Sequence, residues 1–287
     1  MKATATYIIS AAVIILVALS CEREARNVKL PAFEQKLVIT SFISPRDSAS
    51  FVKVSSNERI YGDLNIAEGY GNITVTMSDG QKRINLEPSG DVYLFRRKDL
   101  AVAHGKKYLL EVSSDKGFRA EAECTVPLER DLGITVDTVR TWYEFPGVEK
   151  YSLLKMNVYL NDPPGEDNYY SFSVKVLDYN PYFGTYPYIY ETYTSDDIYF
   201  SDEGTDGKRI FANAVYDGGL PADSDSTLFI FYILNTDKDY YSWHKSLNKF
   251  SGGDDPFREI SPVYSNITGG LGIFASYTVD SIVYKLR

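Results

Sequence analysis

The stretch DKDYYSWHKSLNKFSGGDDPFREISPVYSNITGGLGIFASY, residues 237–277, is the most informative part of this chain about its architecture. Its first part has apolar residues at every third or fourth position: Tyr240, Trp243, Leu247 and Phe250. This spacing predicts an amphipathic helix with one apolar face, and Thr236 is the expected N-cap. The run GGLGIF, residues 269–274, then leads into a strand. In a chain otherwise patterned as strands, one helix followed by a tight loop is typical of a plug over one end of a β-sandwich.

The chain ahead of this stretch is patterned as short strands. Period-2 alternation and hairpin turns such as Ser78-Asp79-Gly80 mark seven candidates. They lie at residues 37–43, 51–56, 73–78, 82–86, 92–95, 108–113 and 118–126. Seven short strands in one segment of this length predict an Ig-like β-sandwich over residues 36–127.

Residues 127–131, which begin at Pro127, are the predicted boundary to a second domain. Further strands are predicted at residues 134–145, 152–160, 169–178, 186–194, 209–215, 228–234, 272–277 and 281–286. No helical segments alternate with them, which argues against a parallel βαβ sheet. We therefore expect an all-β protein of two sandwiches, the second, residues 132–287, being larger and carrying the helix and the loop behind it.

The amino terminus is patterned as a leader. Lys2 precedes an apolar run from Tyr7 to Leu19, which is too short to cross a bilayer and is typical of a signal-peptide core. Cys21 follows at once, which favours a signal peptide at residues 1–20, acylation of Cys21 and a polar tether at residues 21–35. The alternative is an ordinary cleaved signal followed by an incidental cysteine.

Several motifs together resemble a known family. They are LVITSFIS at residues 37–44, Val126-Pro127, NDPPGEDNYYSF at 161–172, and the YY-containing helix followed by DPF, SNI and GGLGIF. This set resembles the domain-of-unknown-function family 4249 of Bacteroidetes-type envelope lipoproteins. The resemblance implies an outer-membrane-associated lipoprotein, often considered a companion of TonB-dependent receptors, and brings no catalytic residues with it. Glu22 and Glu24 resemble a surface-export signal of such lipoproteins, although they also suit a solvated tether.

The tyrosine-rich segment YNPYFGTYPYIYETYTSDDIYF, residues 179–200, is the candidate binding surface. Proline and glycine interrupt it, so part of it must be loop, and only one face of a strand can be buried. Tyrosines exposed in this way stack on sugars or peptides and anchor protein interfaces. We therefore predict that Tyr182, Phe183, Tyr186 and Tyr188 form a ligand or partner surface. The alternative is that these rings cover the sheet as part of its core.

The charged residues and the cysteines limit which kinds of partner, metal site and reactive group the chain can be expected to have. The net charge of −9 argues against nucleic acid and against electrostatic docking on anionic lipid. An acidic run, Asp196, Asp197, Asp202, Glu203 and Asp206, could bind a divalent cation, but its spacing fits no twelve-residue calcium loop and favours solvated turns. We expect no metal and no cofactor. Cys124, in an alternating strand pattern, is expected to be a buried thiol.

Catalytic motifs are missing from the sequence. Only two histidines are present, and GxSxG, HExxH, CxxC and Gly-rich phosphate loops are absent. The predicted function is therefore a non-enzymatic surface partner in the outer membrane, which binds a peptide, a glycan or the barrel of a TonB-dependent receptor. An adhesin-like or structural envelope protein and a carboxylate-dependent hydrolase are the alternatives.

Overall fold

The computed structural model describes residues 34–57, 69–143, 151–178, 188–191, 198–216, 227–250 and 262–285. Residues 35–287 belong to one compact unit. Within the described ranges the chain is almost entirely strand, with one helix, so the all-β, sandwich-like prediction is confirmed.

The first eight strands lie before the predicted boundary. They are β1 (Leu37–Ile43), β2 (Ala49–Ser56), β3 (Ile73–Ser78), β4 (Arg83–Asn85), β5 (Glu87–Ser89), β6 (Val92–Arg96), β7 (Lys107–Ser114) and β8 (Arg119–Thr125). Every predicted strand in this region is present. The short strand β5 was not predicted, because three residues are too few to show an alternation.

The remaining elements lie after it. They are β9 (Thr135–Tyr143), β10 (Tyr151–Asn161), β11 (Tyr169–Asp178), β12 (Tyr188–Glu191), β13 (Tyr199–Ser201), β14 (Arg209–Tyr216), β15 (Leu228–Thr236), α1 (Lys238–Phe250) and β16 (Leu271–Lys285). Here the short strand β13 was not predicted.

Three sheets hold these strands. The largest runs β12-β11-β15-β16-β1-β2-β6-β5, with β13 also paired to β11. A four-stranded sheet, β4-β3-β7-β8, and a three-stranded sheet, β14-β10-β9, complete the fold. The large sheet therefore contains strands from both parts of the chain: four that precede the predicted boundary and five that follow it.

The last strand, β16, makes that sharing possible. Its first part pairs in parallel with β1, from Val38 opposite Leu271 to Ile43 opposite Ser276. Its second part pairs antiparallel with β15, from Thr236 opposite Tyr277 to Leu228 opposite Lys285. The sequence predicted two strands here, at residues 272–277 and 281–286, which is wrong. The ladder with β15 continues through residues 278–280, so their backbone groups stay paired and the strand does not break.

The described residues of the unit form two hydrophobic cores. The first is built from residues between Leu37 and Val126 together with Ile267 and Phe274, and includes Leu37, Ile39 and Tyr108, all fully buried. The second is built from residues 132–233, such as Phe172 and Phe231, with Ile282 and Tyr284 packed against it. The change of core between Val126 and Leu132 coincides with the predicted boundary. Since β16 contributes to both cores, the division into two domains stays a prediction.

Candidate functional site

The residues predicted to form a partner surface lie largely outside the described part of the chain. Tyr182, Phe183 and Tyr186 fall there, as does the lipidation candidate Cys21. Tyr188 begins β12, which pairs with the outer edge of β11, so its backbone belongs to the edge of the large sheet. The roles of these residues remain predictions. The buried polar contacts and the aromatic cluster described below lie around α1.

Asp237 fixes the start of α1. Its Oδ1 accepts the backbone N–H of Tyr240 at 2.8 Å, which is the hydrogen bond of an N-cap. The prediction that Thr236 caps the helix is therefore wrong: Thr236 is the last residue of β15, and its hydroxyl donates to the backbone oxygen of Tyr169. The N-cap directly precedes the first helical residue, which is Lys238, and β15 extends to Thr236, two residues beyond the predicted end of that strand at 234.

The other carboxylate oxygen of Asp237 joins the helix to β16. Oδ2 accepts the N–H of Ser276 at 2.6 Å and lies 2.7 Å from the Ser276 hydroxyl. That hydroxyl also lies 3.0 Å from the carbonyl oxygen of Thr125, at the end of β8. The Ser276 hydroxyl, which donates to Asp237, therefore lies where the start of α1, the end of β8 and β16 meet.

The position of Asp237 also changes the pKa of its carboxyl group. Burial of its carboxyl group raises the pKa to about 7, against the lowering effect of the hydrogen bonds that it accepts. The nearby carboxylate of Asp239 raises the pKa further. Asp237 therefore changes its charge near neutral pH at the point where α1, β8 and β16 meet.

Asp239, in the first turn of α1, holds the loop behind the helix. It accepts a hydrogen bond from the Tyr264 hydroxyl at 2.5 Å and from the Asn266 amide at 3.1 Å. Asn266 in turn bonds both backbone groups of Phe274, at 2.7 and 3.0 Å, in the position that a neighbouring strand would otherwise fill. Asn266, from the motif SNI, thus satisfies backbone groups of β16 at Phe274, which lies before the part of β16 that pairs with β15.

An aromatic cluster lies under the helix. Phe42 of β1 packs edge-on against Tyr240 and Trp243, with ring centroids 5.2 and 5.6 Å apart. His244 stacks on Tyr199 at 4.7 Å and its Nδ1 contacts the carbonyl oxygen of Tyr240 at 2.9 Å. Burial lowers the pKa of His244, so the ring is held neutral as a packing residue. The predicted apolar face of α1 is therefore confirmed for Tyr240 and Trp243.

Beside this cluster, the outer face of the large sheet has a ring-lined cavity of about 440 Å³. Its walls include Phe42, Phe51, Tyr232, Leu234, Tyr277 and Val279. Polar groups also reach it: the Tyr277 hydroxyl donates to Asp47 at 3.3 Å, and the Lys175 ammonium lies over the Tyr232 ring. Phe51 is 53% exposed, which is high for a phenylalanine in a sheet. An aromatic cavity with a few polar groups suits a ligand or partner side chain.

The acidic run is partly structural. Asp162, Asp202 and Asp206 bring ligand atoms within 4.8 Å of one another, an arrangement the sequence did not predict because Asp162 lies far upstream of the run. Asp202 is buried, so the expectation of solvated turns is wrong for that residue. Asp162 accepts the Tyr170 hydroxyl and the N–H of Gly207, and Asp206 accepts the N–H of Gly165. Asp162 and Asp206 therefore join the 162–168 turn to the turn between β13 and β14.

Cys124 is a buried thiol, as predicted. Burial raises its pKa well above the ordinary value, which disfavours the reactive thiolate. Neither histidine is placed to activate it: His104 contacts the carbonyl oxygen of Pro127 and His244 lies in the aromatic cluster. Among the described residues, no helix has the length and apolarity needed to span a bilayer.

Comparison with known proteins identifies the family. A model described as "Domain of unknown function (DUF4249)" matches residues 24–282. No curated protein matches the sequence significantly. Among solved structures, a mutant Salmonella alpha-2-macroglobulin aligns with 75% of this chain and 15% of its own, at 8% identity and a TM-score of 0.26, a likeness too low to carry an argument. Because the family model covers nearly the whole sequence, this chain belongs to the DUF4249 family.

Proposed function

We propose that this protein is a lipid-anchored, surface-exposed protein of the outer membrane that acts by binding, as the non-enzymatic accessory partner of a TonB-dependent receptor in nutrient uptake. Acylated Cys21 provides the anchor, and residues 21–35 form the tether between the membrane and the folded unit. The receptor context comes from the resemblance of the sequence to envelope lipoproteins.

The ring-lined cavity on the outer face of the large sheet is the observation that carries the proposal. Its aromatic residues Phe42, Phe51 and Tyr232 lie on strands that have a neighbouring strand on each side, so they are presented to a partner with little loss of side-chain freedom. The buried titratable groups nearby, Asp237 and Cys124, are engaged in or beside structural hydrogen bonds, which favours binding over bond-making.

Isolation of the native protein from detergent-solubilised outer membranes tests the proposal. We expect a TonB-dependent barrel to co-purify in a stoichiometric complex. Recovery of a cell-surface polymer in place of a barrel would favour the adhesin-like alternative, and recovery of neither would contradict the proposal.

Acylation of Cys21 is a separate expectation. Mass spectrometry of the native protein should find a mature chain that starts at Cys21 and carries fatty acyl groups, and Cys21→Ala should release the protein from the membrane fraction. Dual acylation is needed because a single chain gives only marginal membrane binding. An unmodified thiol at position 21 would contradict the anchor.

The tyrosine-rich segment offers a further test of partner binding. Replacement of Tyr182, Phe183, Tyr186 and Tyr188 by alanine should abolish recovery of the barrel, because aromatic anchors supply most of the energy of an interface. Thermal stability should stay almost unchanged if these rings are exposed. A collapse of folding would show instead that they belong to the core.

A further inference from the structure

In the part of the chain that the structure describes, the second part of β16 has one free edge, with no strand paired to it. β15 pairs with one side of residues Tyr277 to Lys285, and β1, which pairs with the other side of the strand, ends opposite Ser276. No described residue pairs with the β1 side of β16 beyond that point. Natural proteins rarely leave an edge of this length open, because its unpaired backbone groups are a template for another strand.

The direction of the free backbone groups follows from the hydrogen bonds of Ser276. Its N–H and C=O both bond to Asp237, which follows β15, so they point to the β15 side. Because these groups alternate along a strand, those of Val279, Ser281 and Val283 point to the open side. Val283 is also 59% exposed, so an apolar side chain accompanies the unpaired backbone.

A cavity lies on each face of the sheet beside this edge. The outer one is the ring-lined cavity, which includes Tyr277 and Val279. The inner one, of about 430 Å³, lies between the edge residues Asp280, Ser281 and Ile282 and the chain at residues 129–134. Consecutive residues of a strand point to opposite faces, so a strand added to this edge would direct alternate side chains into the two cavities.

The two cavities differ in chemistry. Aromatic and aliphatic side chains dominate the outer one. The inner one is lined by three carboxylates, of Glu129, Asp131 and Asp280, and one guanidinium, of Arg130. Carboxylates therefore outnumber cations in this lining, and its one guanidinium also pairs with Glu166, which lies outside it. A basic side chain therefore complements the inner cavity, and the net charge of −9 favours a basic partner in general.

We infer that the free edge of β16, residues 279–285, binds an extended segment of the partner protein as an additional strand, with an aromatic or large aliphatic residue in the outer cavity and a neighbouring lysine or arginine in the inner one. The inference rests on the proposed binding role and specifies the surface and the partner chemistry. An exposed ion pair, Arg46 with Asp280 at 3.3 Å, borders the edge where β1 ends. Exposed pairs are weak, so a basic side chain of the partner can share Asp280.

Ser281→Pro tests the edge directly. It removes an N–H that points to the open side and leaves the ladder with β15 intact, and proline is tolerated at such edge positions. Ser281→Ala is the matched control, since it keeps the N–H. The probe is a set of nine-residue capped peptides in which aromatic residues alternate with lysine, glutamate or serine, measured by fluorescence anisotropy.

We expect the aromatic–lysine peptides to bind the wild type and Ser281→Ala equally and to bind Ser281→Pro at least about tenfold more weakly, because a hydrogen bond is lost and the ring obstructs the added strand. Hydrogen exchange at Val279, Ser281 and Val283 should slow when the peptide binds. If Ser281→Pro lowers the melting temperature, Val283→Lys serves as the second variant, because a lysine at an exposed edge blocks pairing.

The inference is overturned if no peptide binds, if glutamate peptides bind as well as lysine peptides, or if neither edge variant weakens binding. Isolation from outer membranes separates this failure from that of the proposed function. A barrel recovered with both the wild type and Ser281→Pro would leave the proposed function standing and refute the edge. The absence of a barrel with the wild type would refute the proposed function, whatever the peptides show.

Discussion

Gly272→Ala should unfold the protein or destabilise it by at least about 4 kcal/mol, which is at the extreme of single substitutions. Gly272 lies in the parallel pairing of β16 with β1, opposite Ile39. Its φ is +108°, and a Cβ there would lie 1.9 Å from the backbone oxygen of Ile39. The alanine could fit only if β1 and β16 moved apart, and that pairing closes the first core.

Gly80→Ala is the matched control for that experiment. Gly80 also has a positive φ, of +84°, but a Cβ there meets nothing within 4 Å. It should therefore cost only the backbone strain, about 1–2 kcal/mol. Urea unfolding of the wild type and both variants measures the difference. A cost for Gly272→Ala within about 1 kcal/mol of the Gly80→Ala cost would mean that β1 and β16 are not in close contact at this position.

Asp237→Ala should destabilise the protein by about 3 kcal/mol, the sum of a lost helix cap and of a buried N–H left without a partner. The N–H of Ser276 lies in a fully buried residue and bonds to Asp237 alone among the described residues. Lys238→Ala is the control, since it changes a neighbouring side chain of the same turn that caps nothing, and it should stay within about 0.5 kcal/mol of the wild type.

The same variant has a pH signature. The folded pKa of Asp237, about 7, lies above its unfolded value of 3.8, so the folded state binds the proton more tightly. The stabilisation is fully present below about pH 4 and is lost as the pH rises through about 7. The stability difference between the wild type and Asp237→Ala should therefore be larger at about pH 5 than at about pH 8. A difference that grows with pH would show that Asp237 is charged in the folded protein.

How much the sequence predicts differs between elements. Alternation placed most strands to within a residue or two, because one face of each is buried, as in β1, whose residues alternate between buried and half-buried. The short strands β5 and β13 escaped prediction, since pairing with β6 and β11 defines them and no pattern of their own does. The helix was placed correctly by its apolar spacing, whereas its cap depended on how far β15 extends.

The candidate site divides in the same way. An all-β chain with one amphipathic helix and a glycine-rich approach to its last strand could be inferred from the residues alone, because burial periodicity and glycine conformation are local properties. Long-range packing set the rest: β16 joins β1 and β15, Asp237 meets Ser276, and no described strand pairs with one edge of β16, which lies between two cavities. Those features arise from contacts between residues far apart in the chain. Pairing between such distant strands produces no local sequence pattern from which it could be predicted.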